Sequence, residues 1–71
     1  MKKEPISLRD LMALRGITQV QLAAKIGNFQ PAISRWLAGV QPHPAQAVKI
    51  GEALRAWPEI AEGGIIVWRP E

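Results

Sequence analysis

The chain contains no cysteine and a single histidine, His43, among its 71 residues. Disulfides therefore add nothing to its stability, and no Cys or His cluster exists to hold a structural zinc. The lack of cysteine suits a reducing compartment. No stretch reaches the roughly 20 apolar residues that a membrane span needs. The opening Met1-Lys2-Lys3-Glu4-Pro5 has no apolar run behind it, unlike a secretory signal. A cytoplasmic protein with no membrane partner is the expectation. No Ser-His-Asp or Cys-His arrangement is available, nor a Gly-rich phosphate loop, so neither an enzyme nor a cofactor is expected. Glu59 and Glu62 stand close together on what reads as a helical turn; with nothing beside them they read as solvated charges.

Acidic residues are missing from one long window. The net charge is +3. Between Leu11 and Gly51 there is no Asp or Glu, while Arg15, Lys25, Arg35 and Lys49 all fall there. Such a segment can be a solvated basic face, or it can approach a polyanion such as DNA or RNA without cancelling its own charge. Lys2, Lys3, Lys25 and Lys49 are flexible surface charges on the first reading and phosphate contacts on the second. Size sets a further bound. Residues 1–71 suffice for one small domain, and a chain this short buries only about 60% of its unfolded surface. A second subunit is the remaining common source of buried area.

The helical segments are marked by their ends. Ser7-Leu8-Arg9-Asp10 resembles a capping box, and Leu8, Leu11, Met12 and Arg15 follow at i, i+3, i+4 and i+7, with Leu14 widening the stripe, before Gly16. Thr18-Gln19-Val20-Gln21 is the Gln form of the same box, with Leu22, Ala23 and Ile26 as the buried stripe and Gly27 as the stop. A third helix is capped by Asn28 or Phe29 and carries Pro31 in its first turn, where no helical bond is lost. It runs to about Leu37 or Ala38. Ile33, Trp36 and Leu37 share one face; Gln30, Ser34 and Arg35 lie largely on another. Pro44 opens a fourth helix, expected to reach about Ala56, with Ala47, Ile50, Leu54 and Trp57 on one side. Pro58 breaks it, and Ile60-Ala61-Glu62 makes one further turn. After Gly63-Gly64, Ile65-Ile66-Val67-Trp68 reads as a strand. A lone strand needs a partner, either Glu4-Pro5-Ile6 or the same strand of a second subunit.

The spacing within residues 18–38 is more specific than a generic helical hairpin. Ala23 is small enough for two helices to cross closely, Gly27 permits the turn, and Ile33 and Trp36 hold the second helix on the first. The run Thr18-Gln-Val-Gln-Leu-Ala-Ala-Lys-Ile-Gly-Asn-Phe-Gln-Pro-Ala-Ile-Ser-Arg-Trp-Leu-Ala-Gly39 resembles the lambda-repressor-like DNA-binding domains, in their Cro and repressor branch. The resemblance covers residues 6–39 well; residues 44–57 fit a family helix loosely. It implies a mostly α fold, a helix-turn-helix bundle of four to five helices with a short C-terminal β-strand.

The resemblance also implies roles. The third helix would lie in the major groove, with Gln30, Ser34 and Arg35 reading bases and Pro31 beside them. Gln19 matches a position that contacts phosphate. Phe29 is either a hydrophobic plug or a DNA contact. Two departures stand out: Asn28-Phe29 replaces the usual Val and Ser or Tyr, and Pro31 replaces a polar reader. The expected partners are double-stranded DNA and a second copy of the chain, with no small-molecule effector. The tail, residues 63–71, is a candidate dimerisation strand through Ile65, Val67 and Trp68, while Trp57 is assigned to the core. The competing expectation is an antitoxin-like or adaptor module that binds another protein through the Trp57 to Trp68 segment.

Overall fold

A computed structural model of the chain describes residues 4–71. Lys2 and Lys3 lie outside the described residues. Four helices come first: α1 (Leu8–Arg15), α2 (Gln19–Ile26), α3 (Gln30–Leu37) and α4 (Pro44–Leu54). Two strands follow, β1 (Ala56–Ile60) and β2 (Ile66–Pro70), joined through a short 3-10 turn at Glu62–Gly64. No helix among the described residues is long and apolar enough to cross a membrane.

The first three helices begin and end where their local chemistry dictates. The Ser7 hydroxyl accepts the Asp10 amide at 3.2 Å. Thr18 and Gln21 form a reciprocal capping box, with the Gln21 amide on Thr18 Oγ1 at 3.1 Å and the Thr18 amide on Gln21 Oε1 at 2.9 Å. Gly16 (φ 64°) and Gly27 (φ 69°) close α1 and α2 in the left-handed region, which a side chain would disfavour. Helix α3 takes Phe29 as its N-cap without a side-chain cap bond, and Pro31 sits in its first turn as expected.

The C-terminal third departs from the sequence expectation. Helix α4 ends at Leu54, and Arg55 adopts a left-handed conformation (φ 55°). Non-local bonds hold this turn. Arg15 Nε donates to the Leu54 carbonyl at 2.7 Å, and its Nη2 donates to the Arg55 carbonyl at 3.0 Å. The Glu71 amide reaches the same Arg55 carbonyl at 3.1 Å. A guanidinium at a helix C-terminus meets both the unsatisfied carbonyls and the negative end of the helix dipole.

The chain then turns into β1 where a further helical turn was expected. Strand β2 therefore pairs with β1, antiparallel, in the register Ala56↔Pro70, Trp57↔Arg69, Pro58↔Trp68, Glu59↔Val67 and Ile60↔Ile66. Both prolines fit because of the ladder's alternation. The Trp68 amide and carbonyl bond to Ile6, at 2.8 and 2.7 Å, so Pro58↔Trp68 is a non-hydrogen-bonded pair. The nitrogen of Pro58 accordingly faces away from β2, where no partner strand needs an N–H. Of the two partners considered for the tail strand, the N-terminal segment supplies this bridge at Ile6, and β1 supplies the rest.

This topology exchanges two tryptophans. Trp68, expected at a subunit contact, is 1% exposed and donates its indole N–H to the Ala47 carbonyl at 3.0 Å. Trp57, expected in the core, is 67% exposed. The reason is the period-2 alternation of a hairpin: Ala56 and Trp68 face the helices, and Trp57 faces outward. The core joins Leu8, Leu11 and Met12 of α1, Leu22, Ala23 and Ile26 of α2, Ile33 of α3, and Ala47, Ile50 and Leu54 of α4 to Ala56 and Trp68.

On the outward side of the hairpin, Arg69 grips Glu59 through Nε and Nη2. Glu59 is thus part of an ion pair on a strand, not one of two solvated charges on a helical turn. The Arg69 hydrogen bonds, assisted by its charge, hold the Glu59 carboxyl below its ordinary value against a smaller opposing effect of burial. A carboxylate lowered in the folded state stabilises the fold above its unfolded pKa and loses that contribution as pH falls through the folded value. Urea midpoints measured from about pH 6 down to about pH 2 should therefore fall more in the wild-type chain than in Glu59→Gln, by a small margin because the pair is solvent-screened. Parallel profiles would show that the pair has no linkage to folding.

Candidate nucleic-acid interface

Helices α2 and α3 pack through the residues whose spacing suggested the arrangement. Ala23 and Ile26 are buried and Ile33 is 0% exposed; Trp36 and Leu37 pack partly buried against the same core. An eight-residue helix with those positions inward turns Gln30, Pro31, Ser34 and Arg35 outward, and all four are exposed. Among the described residues, neither the Gln30 amide nor the Arg35 guanidinium bonds to any group of the chain. Both are exposed, about one and a half turns apart along the helix.

Phe29 stands at the N-terminal end of the same face and is 79% exposed. It is not a plug for the interior. The Asn28 side chain instead serves the turn, its Oδ1 accepting the Phe29 amide at 2.8 Å. Gln19, the first residue of α2, is half-buried beside α3. Ser34 Oγ donates to Gln19 Oε1 at 2.7 Å, so the two helices are joined at the surface by a side-chain bond.

The charges are distributed differently from the sequence expectation. Arg15 belongs to the fold, clamping the end of α4, and so leaves the set of free cations. Lys25 and Lys49 border one shallow depression between α2 and α4, with Glu52 beside them. From Asn28 to Ala38, Arg35 is the sole charged residue. The outward face of α3 is therefore mostly neutral: an amide, a proline ring, a hydroxyl, a phenyl ring and one guanidinium. Such a set can hydrogen-bond base edges in a groove, where Gln matches adenine and Arg matches guanine in bidentate geometry, and a proline or phenyl ring can touch a thymine methyl.

Two features were missed from sequence. Arg15 keeps the i+7 place of the α1 stripe, which turns its stem inward, but nothing local announces that its guanidinium closes the end of α4. The Ser34–Gln19 bond left no such signal. Among the expected dimer residues, Ile65 is 50% exposed and Val67 is partly exposed, whereas Trp68 is interior.

No curated protein and no solved structure matches the chain. The family model of the helix-turn-helix proteins, HTH_3, matches residues 8–56, from the first residue of α1 to the first of β1. That span is most of the chain and contains all four helices, α3 among them. The chain belongs to this lambda-repressor-like helix-turn-helix family of DNA-binding regulators.

Proposed function

We propose that the chain is a sequence-specific transcriptional repressor of the Cro type, which binds a near-palindromic operator as a homodimer with α3 in the major groove. The observation that carries this reading is the free pair on α3: Gln30 and Arg35 are exposed and unbonded at the start and middle of a helix whose other face is locked into the core. Gln30 and Arg35 read base edges, Pro31 and Phe29 supply apolar contact beside them, and Gln19 reaches the phosphate backbone. Repression follows from occupying the operator and excluding a competitor. Two subunits meet through the outward side of the hairpin, where Ile65 and Val67 lie; Trp57 shares that side, and Trp68 takes no part.

Selection from a random duplex library tests the reading. A pair of inverted half-sites with centres about 34 Å, one helical turn, apart supports it. Enrichment of one unrepeated half-site keeps the DNA reading and removes the dimer. Gln30→Ala should weaken binding to the selected site by about 1–3 kcal/mol and leave affinity for random duplex near normal. Equal losses on both would remove Gln30 from base reading. A protein-binding module is the second reading, favoured by the exposure of Trp57; it gains if no duplex sequence is enriched and another protein is held stoichiometrically in a Trp57-dependent manner.

A further inference from the structure

A serine on the outward face of a recognition helix is ordinarily counted as a base reader. We propose that Ser34 is instead a positioning residue, which sets the Gln19 amide so that its NH2 edge meets the duplex backbone. This rests on the DNA-binding reading of α3 and assigns Ser34 a different part in it.

The argument starts from the inventory of donors and acceptors. A serine hydroxyl has one proton, and here it goes to Gln19 Oε1 at 2.7 Å. A glutamine amide has one oxygen and two N–H groups on opposite edges. Once the oxygen is held by Ser34, the NH2 edge is the one left free, and no group among the described residues takes it. The amide lies at the first residue of α2, next to the exposed face of α3 that carries Gln30 four residues before Ser34. What a duplex offers at the margin of a groove is phosphate oxygen, which only accepts. With its oxygen turned outward the amide would oppose oxygen to oxygen. With Ser34 holding that oxygen, the amide arrives already donating, and less side-chain freedom is lost on binding.

The bond also spans the two helices, from α2 to the fifth residue of α3. Ser34 thereby couples the backbone contact to the placement of the reading helix. Its effect should be independent of base sequence, because a phosphate contact carries no sequence information. It should also be independent of salt, because no charge is added or removed and the number of released counterions stays the same.

The test uses the full chain and two duplexes, one carrying the sequence selected by the wild-type protein and one scrambled. Ser34→Ala should weaken binding about threefold to tenfold on both duplexes, with the salt slope and the selected sequence unchanged. Gln19→Ala should lose at least as much, and the double variant no more than Gln19→Ala alone. Ser34→Thr, which restores the hydroxyl, should recover the affinity. Ser34 is exposed, so the thermal midpoint of Ser34→Ala should stay near that of the wild type and confirm that the fold is intact. A relaxed preference at one base position in Ser34→Ala would make Ser34 a reader and overturn the assignment. Additive losses in the double variant, or no loss in Ser34→Ala, would overturn it as well. If the wild-type chain binds neither duplex, the DNA reading itself fails, and the wild-type titration alone reveals that failure.

Discussion

Trp68→Ala should cost about 3–5 kcal/mol of folding stability, the range for removing a large aromatic from a packed core. The side chain is 1% exposed, and it lies where β2 meets α4 and the Ile6 bridge. Three attachments weaken together: the burial of the indole, its N–H bond to the Ala47 carbonyl, and the packing that keeps the hairpin on the helices. A chain of 71 residues has roughly 4–11 kcal/mol of stability in all. The variant should therefore unfold by more than about 15 °C below the wild type, or fail to fold at physiological temperature. Trp68→Phe keeps most of the apolar volume and loses the indole donor, so its cost should be closer to about 1–2 kcal/mol. Calorimetry or thermal circular dichroism on the three proteins decides the matter. A Trp68→Ala midpoint within a few degrees of wild type, with a concentration-dependent change in association, would return Trp68 to a subunit interface.

Gly51→Ala should be destabilising although it places the best helix former inside a helix. At an exposed helical site the exchange would gain about 1 kcal/mol. Gly51 is buried, and an added Cβ would run into the carbonyl oxygen of Ala56, with Pro58 Cδ 3.3 Å away. The obstruction is backbone, which cannot rotate aside as a side chain would. Relief requires β1 to move off α4, and overpacking costs about 1–3 kcal/mol, with a rigid backbone obstruction at the upper end of that range. The steric effect exceeds the propensity effect, and the net loss should be about 1–2 kcal/mol. Urea denaturation of wild type and Gly51→Ala measures it. Equal or greater stability in the variant would mean that α4 and β1 are not in close contact. DNA binding by the folded fraction should be unaffected, since the strain lies at the hairpin and the reading residues sit on α3.

The two predictions concern the part of the chain that sequence patterns described least well, and the reason is physical. Helices α1 to α3 are bounded by local chemistry: Ser7, the Thr18–Gln21 box, Gly16 and Gly27 each act within a few residues of themselves. Periodicity then identified Ile33 and Trp36 as inward, and the outward placement of Gln30 and Arg35 followed by subtraction. In the C-terminal third the same periodicity misled. Ala47, Ile50, Leu54 and Trp57 keep helical spacing, yet α4 stops at Leu54. What stops it is Arg15, 40 residues earlier than the Arg55 carbonyl it binds, and Glu71 at the other end of the chain. A terminator supplied from such distances has no local signature. The exchange of Trp57 and Trp68 is its direct result, since one extended residue reverses which side faces the helices. In the candidate site, residue types and faces were legible. Which hydroxyl meets which amide depends on rotamers and on the separation of two helices, and no spacing rule encodes that.

The unpaired side of the hairpin has a bearing on how the protein behaves at high concentration. Along that margin Pro58 has no N–H to offer, and Ala56 is crowded by α4 at Gly51. A strand from another molecule would find the Ile60 groups and the Pro58 carbonyl there, but no donor at Pro58, too little to nucleate a shared sheet. Fibrillar growth by lateral strand recruitment is thereby closed at this margin, and any self-association there must depend on side-chain surfaces, which makes it reversible and sensitive to single substitutions.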